Sequence, residues 1–136
     1  MTGGQAFDAV AYNTCVYSPK LLDHFEHPRN AGVLEKPDAS VQLENPVCGD
    51  VLKLTAALHG DVISEIRFQA KGCVSAMACA SAITELVRGK TLTQAGALKS
   101  DDIVREVVEL PPASSHAAQL AADALKALIA KCSHRQ

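Results

Sequence analysis

Alternating apolar and polar residues predict a β-hairpin in the middle of the chain. The alternation runs over residues 52–58 and again over 62–70, and a period of two is typical of strands with one buried face. Gly60 lies between the two runs and can take the positive φ that a tight turn requires. A third strand is predicted over residues 41–43, at the edge of the same sheet.

Helix signals lie on both sides of this hairpin. Ser18 and Pro19 form a helix start. Pro28 ends this first helix near His27, because a proline disfavours helical geometry at the residue before it. A second helix is predicted over residues 75–88, with Gly89 at its C-terminal cap.

Three further helices complete the predicted order of elements. Two are short, over residues 93–98 and 101–108, and the last one begins at Ser114 or Ser115 after the break at Pro111 and Pro112. Strands followed by a run of helices indicate an α+β fold. We therefore predict a small antiparallel sheet of about three strands packed with helices.

Length and composition predict one domain. The chain has 136 residues, of which 48% are hydrophobic and 21% charged, and these values are ordinary for a globular protein. Residues 1–16 mix Gly, polar and small residues without a sustained period, so we expect a flexible N-terminal segment there. Residues 17–136 form the predicted single domain.

Charge and hydropathy exclude two classes of partner. The formal net charge is -2, and no run of basic residues offers a surface for nucleic acid. No apolar stretch has the length needed to span a bilayer, and the N-terminus lacks the pattern of an export signal. The expected location is the cytoplasm, with neither nucleic acid nor membrane as a partner.

The cysteines are candidates for metal chemistry rather than for disulfides. Their number is odd and no export signal precedes them. In a reducing compartment each thiol is either a small buried side chain or a reactive, metal-binding group. The five are Cys15, Cys48, Cys73, Cys79 and Cys132.

The hairpin predicts that two of these thiols lie close together. Cys48-Gly49-Asp50 precedes the first strand and Gly72-Cys73 follows the second, so both segments lie at the end of the sheet opposite the turn. Cys73 also precedes a helix N-terminus, where a thiolate is favoured, so a reactive thiol is expected. His116 falls in the first turn of the last helix, which the preceding break can direct towards the same place.

Thiolate, carboxylate and imidazole groups together form a plausible metal-binding set. Cys48, Asp50, Cys73 and His116 can satisfy a tetrahedral Zn²⁺ or hold an iron-sulfur unit. Ligands other than thiolate hold such a unit less tightly, which suits a carrier. From chemistry alone this hypothesis and simple packing of the cysteines in a core are equally supported.

The motifs together resemble the IscU/NifU N-terminal family of iron-sulfur cluster assembly scaffolds. The resemblance covers residues 17–131 in the order and spacing of that family. The segments that carry it are 17–32 (YSPKLLDHFEHPRNAG), 48–50 (CGD), 71–76 (KGCVSA), 81–90 (SAITELVRGK) and 110–116 (LPPASSH).

The resemblance implies a function, a cargo and partners. Such a scaffold is not an enzyme: it receives sulfur from a cysteine desulfurase, assembles a transient [2Fe-2S] cluster with iron, and passes it to recipient apo-proteins. In isolation the family often binds Zn²⁺ at the same residues. The ligands implied here are Cys48, Asp50, Cys73 and His116, with Cys48 and Cys73 as sulfur acceptors.

Two departures from the family pattern bear on these implications. Ala117 stands where the family has a third cysteine, which is both a cluster ligand and a sulfur acceptor. The stretch Leu110-Pro-Pro-Ala-Ser114 differs from the Leu-Pro-Pro-Val-Lys of the family, so the resemblance does not extend to release by an Hsc70-type chaperone. We expect Cys79 to pack in the core and Cys132 to lie too far along the last helix. Cys15 is an open case, because its segment can fold back towards the site, but a solvent-exposed thiol without a role there is the favoured interpretation.

Two alternatives to a scaffold remain at this point. The first is a zinc-binding sulfur-relay or regulatory relative that docks on a cysteine desulfurase without building a cluster. The second is an enzyme with Cys73 as nucleophile and His116 as base, for which the sequence indicates neither a substrate pocket nor a third positioned group. His24 and His27 are expected to be surface or capping residues.

Overall fold

The computed structural model describes residues 18–45, 49–107 and 115–134. Within these ranges the chain forms five helices and three strands. Their order is α1 (Pro19–Glu26), β1 (Ala39–Asn45), β2 (Asp50–His59), β3 (Val62–Lys71), α2 (Val74–Val87), α3 (Leu92–Gly96), α4 (Ser100–Glu106) and α5 (Ser115–His134). The α+β class predicted from the sequence is confirmed.

The three strands form one antiparallel sheet in the order β1-β2-β3. Gly60 takes a φ of 64° in the turn between β2 and β3, as the hairpin prediction required. The predicted edge strand is present and longer than expected, and its last residue, Asn45, pairs with Asp50 at the start of β2. The register of β2 and β3 places Val51 opposite Lys71, so the two ends that flank the predicted site are neighbours.

Helices α2 and α5 build the core against this sheet. Helix α5 packs on β1 and β2, whereas α2 packs on β3 and on α5. Leu54 on β2, Ile66 on β3, Ile83 on α2 and Leu128 on α5 are each 0% exposed. The alternation seen in the sequence therefore marks the core face, because side chains of a strand point alternately to opposite sides.

The smaller helices follow their local start signals. The Ser18 hydroxyl caps α1 by accepting from the Leu21 N–H at 3.0 Å. Helix α3 begins one residue before its predicted start, because the cap is Thr91, whose hydroxyl accepts from the Gln94 N–H while the Gln94 side chain accepts from the Thr91 N–H. This reciprocal pair of bonds is a capping box. Helix α4 likewise begins one residue earlier than predicted, at Ser100.

The described part of the chain contains no helix that is both long enough and apolar enough to cross a bilayer.

Replacing Ser18 by alanine should loosen α1. Its hydroxyl caps the helix and also donates to the Val107 carbonyl just beyond α4, so both interactions are lost. Loss of such a cap costs about 1 kcal/mol, within a range of roughly 0.5–2. The free energy of unfolding, measured in urea, should fall by this amount.

Ser64→Ala is the matched control for this measurement. Ser64 lies on an exposed part of β3, where its hydroxyl donates to the Ala57 carbonyl, and exposed substitutions usually change stability by less than about 0.5 kcal/mol. Equal effects of the two substitutions would contradict the role assigned to Ser18.

Candidate functional site

Asp50 and Cys73 are in direct contact where β2 begins and α2 is about to start. The Asp50 carboxylate accepts from the Cys73 backbone N–H at 3.2 Å through Oδ1. The Cys73 thiol lies 3.6 Å from the other oxygen, Oδ2. Asp50 is 1% exposed. Its buried carboxylate is therefore held by the backbone of Cys73, the N-cap residue of α2.

Gly72 makes this contact possible. Its φ is 146°, and a Cβ at this position would overlap Asp50 Oδ1 and lie 2.8 Å from Asp50 Cγ. A side chain there would therefore displace the carboxylate. The sequence showed Gly72 beside Cys73 but did not indicate that its missing side chain is the space that Asp50 fills.

The thiol of Cys73 is less acidic than the sequence suggested. Cys73 is the N-cap of α2, and its sulfur accepts from the Ala76 N–H at 3.4 Å. Burial nevertheless raises the pKa of the Cys73 thiol, and the neighbouring Asp50 raises it further, against the lowering by the Ala76 N–H. The expectation of a reactive thiolate is therefore wrong for the metal-free protein, and a bound metal must displace the thiol proton.

His116 reaches the same carboxylate from α5. Its Nε2 lies 3.9 Å from Asp50 Oδ2, and its side chain is 33% exposed. His116 also borders a cleft of about 260 Å³ that Asn45 and Gln119 help to line. The Cys73 thiol and the His116 imidazole thus both approach Asp50 Oδ2, and the site is open to solvent at the partly exposed His116 side chain.

The remaining cysteines separate into two groups. Cys48 and Cys15 lie outside the described residues. Cys79 is 0% exposed and Cys132 is 3% exposed, and burial raises the pKa of Cys79 to about 12. The prediction that Cys79 packs in the core is confirmed.

Ala117 is buried next to His116. It is 1% exposed and belongs to the apolar cluster against which Cys73 packs. The position at which the resemblance expects a third thiol is therefore part of the buried core, next to His116 in the chain, and it offers a methyl group.

His24 is not the surface residue that the sequence suggested. It is 0% exposed, and its Nδ1 lies 2.9 Å from the Ser81 hydroxyl on α2. Burial lowers the pKa of His24, while Glu85 and Glu106 act in the opposite direction. The sequence signal that was missed is the pair of polar residues Ser81 and Thr84 within the otherwise apolar α2. His27, by contrast, is exposed and is the C-cap of α1, as predicted.

Comparison with known proteins identifies the family. The model of the family described as "NifU-like N terminal domain" matches residues 16–136. The chain belongs to the NifU-like N-terminal domain family. Asp50, Cys73 and His116 all lie inside the matched range, as do Cys48 and Ala117.

Named relatives of this NifU-like chain are cluster assembly scaffolds. It is 44% identical over 124 residues to the iron-sulfur cluster assembly scaffold protein IscU of Haemophilus influenzae, covering 88% of this chain and 98% of that protein. It is 45% identical over 118 residues to IscU of Escherichia coli K12, covering 84% and 91%.

A solved structure shares the fold. The N-terminal part of a nitrogen-fixing NifU-like protein from Brucella abortus superposes with a TM-score of 0.71 at 19% identity, covering 90% of this chain and 98% of that one. The NifU-like fold thus extends over nearly the whole chain.

Gly72→Ala should disrupt the site. The added methyl group must displace Asp50 Oδ1, so the contact between Asp50 and Cys73 is lost. We expect the affinity of this site for Zn²⁺ to fall at least about tenfold, measured by chelator competition as the Zn²⁺-dependent protection of Cys73 from alkylation, and the free energy of unfolding to fall as well.

Gly60→Ala is the matched control. Gly60 also has a positive φ, of 64°, but a Cβ there has no atom within 4 Å. It carries only the cost of a left-handed residue, about 1–2 kcal/mol. Unchanged Zn²⁺ affinity in Gly72→Ala, or an equal loss in Gly60→Ala, would contradict the assignment.

Proposed function

We propose that this protein is an iron-sulfur cluster assembly scaffold. It receives sulfur from a cysteine desulfurase, combines it with iron, holds a labile [2Fe-2S] cluster and transfers the cluster to recipient apo-proteins. The observation that supports this most is the meeting of Asp50, Cys73 and His116 at one end of the sheet, in a chain whose named relatives are scaffolds.

The donor set suits a cargo that must leave again. A thiolate from Cys73, a carboxylate from Asp50 and an imidazole from His116 are three different ligand types, and carboxylate and imidazole hold iron-sulfur units less firmly than thiolates do. Cys48 is assigned as the fourth ligand and, with Cys73, as a sulfur acceptor from the sequence. The raised pKa of Cys73 adds a further cost, since cluster binding must release its proton.

The absence of a thiol at position 117 shapes this proposal. A cluster here has one cysteine fewer than the resemblance implies, because Ala117 offers a methyl group in place of a thiol. The missing ligand is then supplied by an exogenous thiol, by Cys15 or by a second subunit.

The missing thiol at position 117 also favours a second candidate function. One carboxylate, one imidazole and two thiolates satisfy a tetrahedral Zn²⁺. A protein of this fold with zinc at Cys48, Asp50, Cys73 and His116 would act as a sulfur-relay or regulatory relative that docks on a cysteine desulfurase without building a cluster. The missing thiol at Ala117 is the feature that supports it.

The proposal assigns no catalytic role to any residue. The protein partners in this proposal are a cysteine desulfurase and recipient apo-proteins. The protein is placed in the cytoplasm, as predicted from the sequence. Release by an Hsc70-type chaperone is not part of it, because residues 110–114 depart from the pattern of the family.

Anaerobic reconstitution distinguishes the two functions. The purified protein is incubated with ferrous iron, cysteine, a cysteine desulfurase and a thiol reductant, which supplies the electrons that convert persulfide sulfur to sulfide. Visible absorption and metal analysis follow the product, and persulfide is assayed in a parallel sample without the reductant. A cluster chromophore that Cys73→Ser abolishes supports the scaffold. Bound zinc that Cys73→Ser removes, with no chromophore and no persulfide on Cys48 or Cys73, supports the relay.

Asp50→Ala should lengthen the lifetime of the bound cluster. A carboxylate holds an iron-sulfur unit less firmly than a thiolate does, and we assign to the Asp50 carboxylate the role of promoting cluster release. We expect the half-life of the chromophore, measured after an apo-protein is added, to increase several-fold. Asp61→Ala, at the exposed turn at the other end of the hairpin, is the control and should change nothing. An unchanged lifetime in Asp50→Ala removes the release role.

Ala117→Cys should strengthen cluster binding. The new thiol adds a third thiolate beside His116, so the cluster should survive longer against a chelator. Ala121→Cys is the control: it is also 1% exposed and in the same apolar cluster, but lies one turn further along α5, about 6 Å from position 117. Equal lifetimes in the two variants would show that the thiol at 117 does not reach the cluster.

A further inference from the structure

A second group of metal-ligand side chains lies where α1, α2 and α4 meet. We propose that His24, Glu85 and Glu106 bind a divalent transition-metal ion. This site goes beyond the proposed function, because it shares no residue with Asp50, Cys73 and His116.

The three ligand atoms have the spacing of a coordination sphere. His24 Nε2 is 3.6 Å from Glu85 Oε1 and 3.7 Å from Glu106 Oε2. One atom from each side chain can be chosen so that all three lie within 4.8 Å of one another. Bonds of roughly 2.0–2.2 Å to Zn²⁺ place tetrahedral ligands about 3.4 Å apart. The two distances from His24 Nε2 therefore need to shorten only by a few tenths of an ångström, and the spacing between the two carboxylates by at most about 1.4 Å.

His24 presents a buried nitrogen that lacks a hydrogen-bond partner among the described residues. Its side chain is 1% exposed, yet within residues 18–45, 49–107 and 115–134 its Nε2 makes no hydrogen bond. The two carboxylates that face it are too distant for one. Leaving a buried polar atom unpaired costs free energy, so the imidazole is directed at a position that a cation between the two carboxylates would fill.

The surroundings orient the imidazole for this purpose. His24 Nδ1 lies 2.9 Å from Ser81 Oγ, and with the proton on Nδ1 that N–H donates to Ser81 and leaves the Nε2 lone pair free. Ser81 Oγ also accepts from the Arg29 N–H at 2.8 Å, and a hydroxyl oxygen can accept two bonds. Such a partner on the far ring nitrogen is typical of histidines that bind metals.

Two cationic side chains lie beside the group but leave its ligand atoms available to a metal ion. Arg29 Nε is 3.7 Å from the second oxygen of Glu85, Oε2, and leaves Oε1 towards His24. Lys20 Nζ is 3.5 Å from Glu106 Oε2, the oxygen that also faces His24, but the Lys20 side chain is 50% exposed. A bound ion would take over this oxygen, and Lys20 can turn towards solvent.

An ion can reach this site from outside. The side chains of Glu85 and Glu106 are 45% and 22% exposed, and Glu85 also lines a cleft of about 310 Å³ together with Arg29, Asn30 and Arg88. Water from this side can complete the coordination. One imidazole and two carboxylates suit Zn²⁺, Fe²⁺ and Mn²⁺ better than ions that require thiolates or oxygens alone.

The zinc content of the protein tests this site without altering the site at Asp50, Cys73 and His116. After saturation with Zn²⁺ and gel filtration, the unmodified protein should contain one more zinc than Glu85→Gln/Glu106→Gln. Glutamine keeps the shape of the two side chains and removes their charge. Glu35→Gln changes an exposed glutamate elsewhere and should leave the zinc content unchanged.

A variant that lacks all four proposed cluster ligands separates this proposal from the proposed function. Cys48→Ser/Asp50→Ala/Cys73→Ser/His116→Ala should still bind one Zn²⁺. The ion joins three helices, so the Tm should rise on the order of 10 °C when free Zn²⁺ is about 100 times its dissociation constant. Adding Glu85→Gln and Glu106→Gln should abolish both effects, with folding checked by circular dichroism.

Equal zinc content with and without Glu85→Gln/Glu106→Gln would overturn the site, whatever happens at Asp50 and Cys73. Retention of the second zinc together with failed cluster assembly would instead reject the proposed function and leave the site in place. Should the four-ligand variant not fold, the comparison in the otherwise unmodified chain still decides the question.

Discussion

The buried carboxylate of Asp50 is the constraint on which the candidate site depends. It accepts from the Cys73 N–H at the start of α2 and stands within reach of the Cys73 thiol and the His116 imidazole. Gly72 leaves the space that this carboxylate fills. The carboxylate thus links the beginning of β2, the cap of α2 and the first turn of α5. A shift of this carboxylate would therefore change the geometry of the candidate ligands that these three elements carry.

The elements that the sequence predicted well are those that local rules determine. The hairpin follows from period-two alternation and Gly60, and the contact between Asp50 and Cys73 follows from the antiparallel pairing of its strands. The pKa and the exposure of individual side chains were harder to predict, because both depend on burial in the folded protein. Cys73 sits at a helix N-terminus that favours a thiolate, yet burial and Asp50 outweigh that effect. His24 looked like a surface residue because its partners, Ser81, Glu85 and Glu106, are distant in sequence.

Helix α2 carries chemistry at both of its ends. Cys73 caps its N-terminus, and Glu85 lies in its last turn, twelve residues further on and about 18 Å away along the axis. Between them the helix is almost entirely buried, with Ala78, Ala82 and Ile83 at 0% exposure. The small alanines let α1 and α5 approach closely, so the packing that stabilises the fold also fixes the two groups of candidate ligands relative to each other.

The burial of Cys79 and Cys132 has a practical consequence for anyone handling this protein. Both thiols are almost inaccessible, and the Cys79 thiol has a pKa of about 12, whereas alkylating agents and oxidants attack exposed thiolates. These two sulfurs therefore become available only when the surrounding core opens. Their rate of alkylation reports opening of the folded state, and the mass that the alkylating agent adds allows mass spectrometry to follow it at each cysteine.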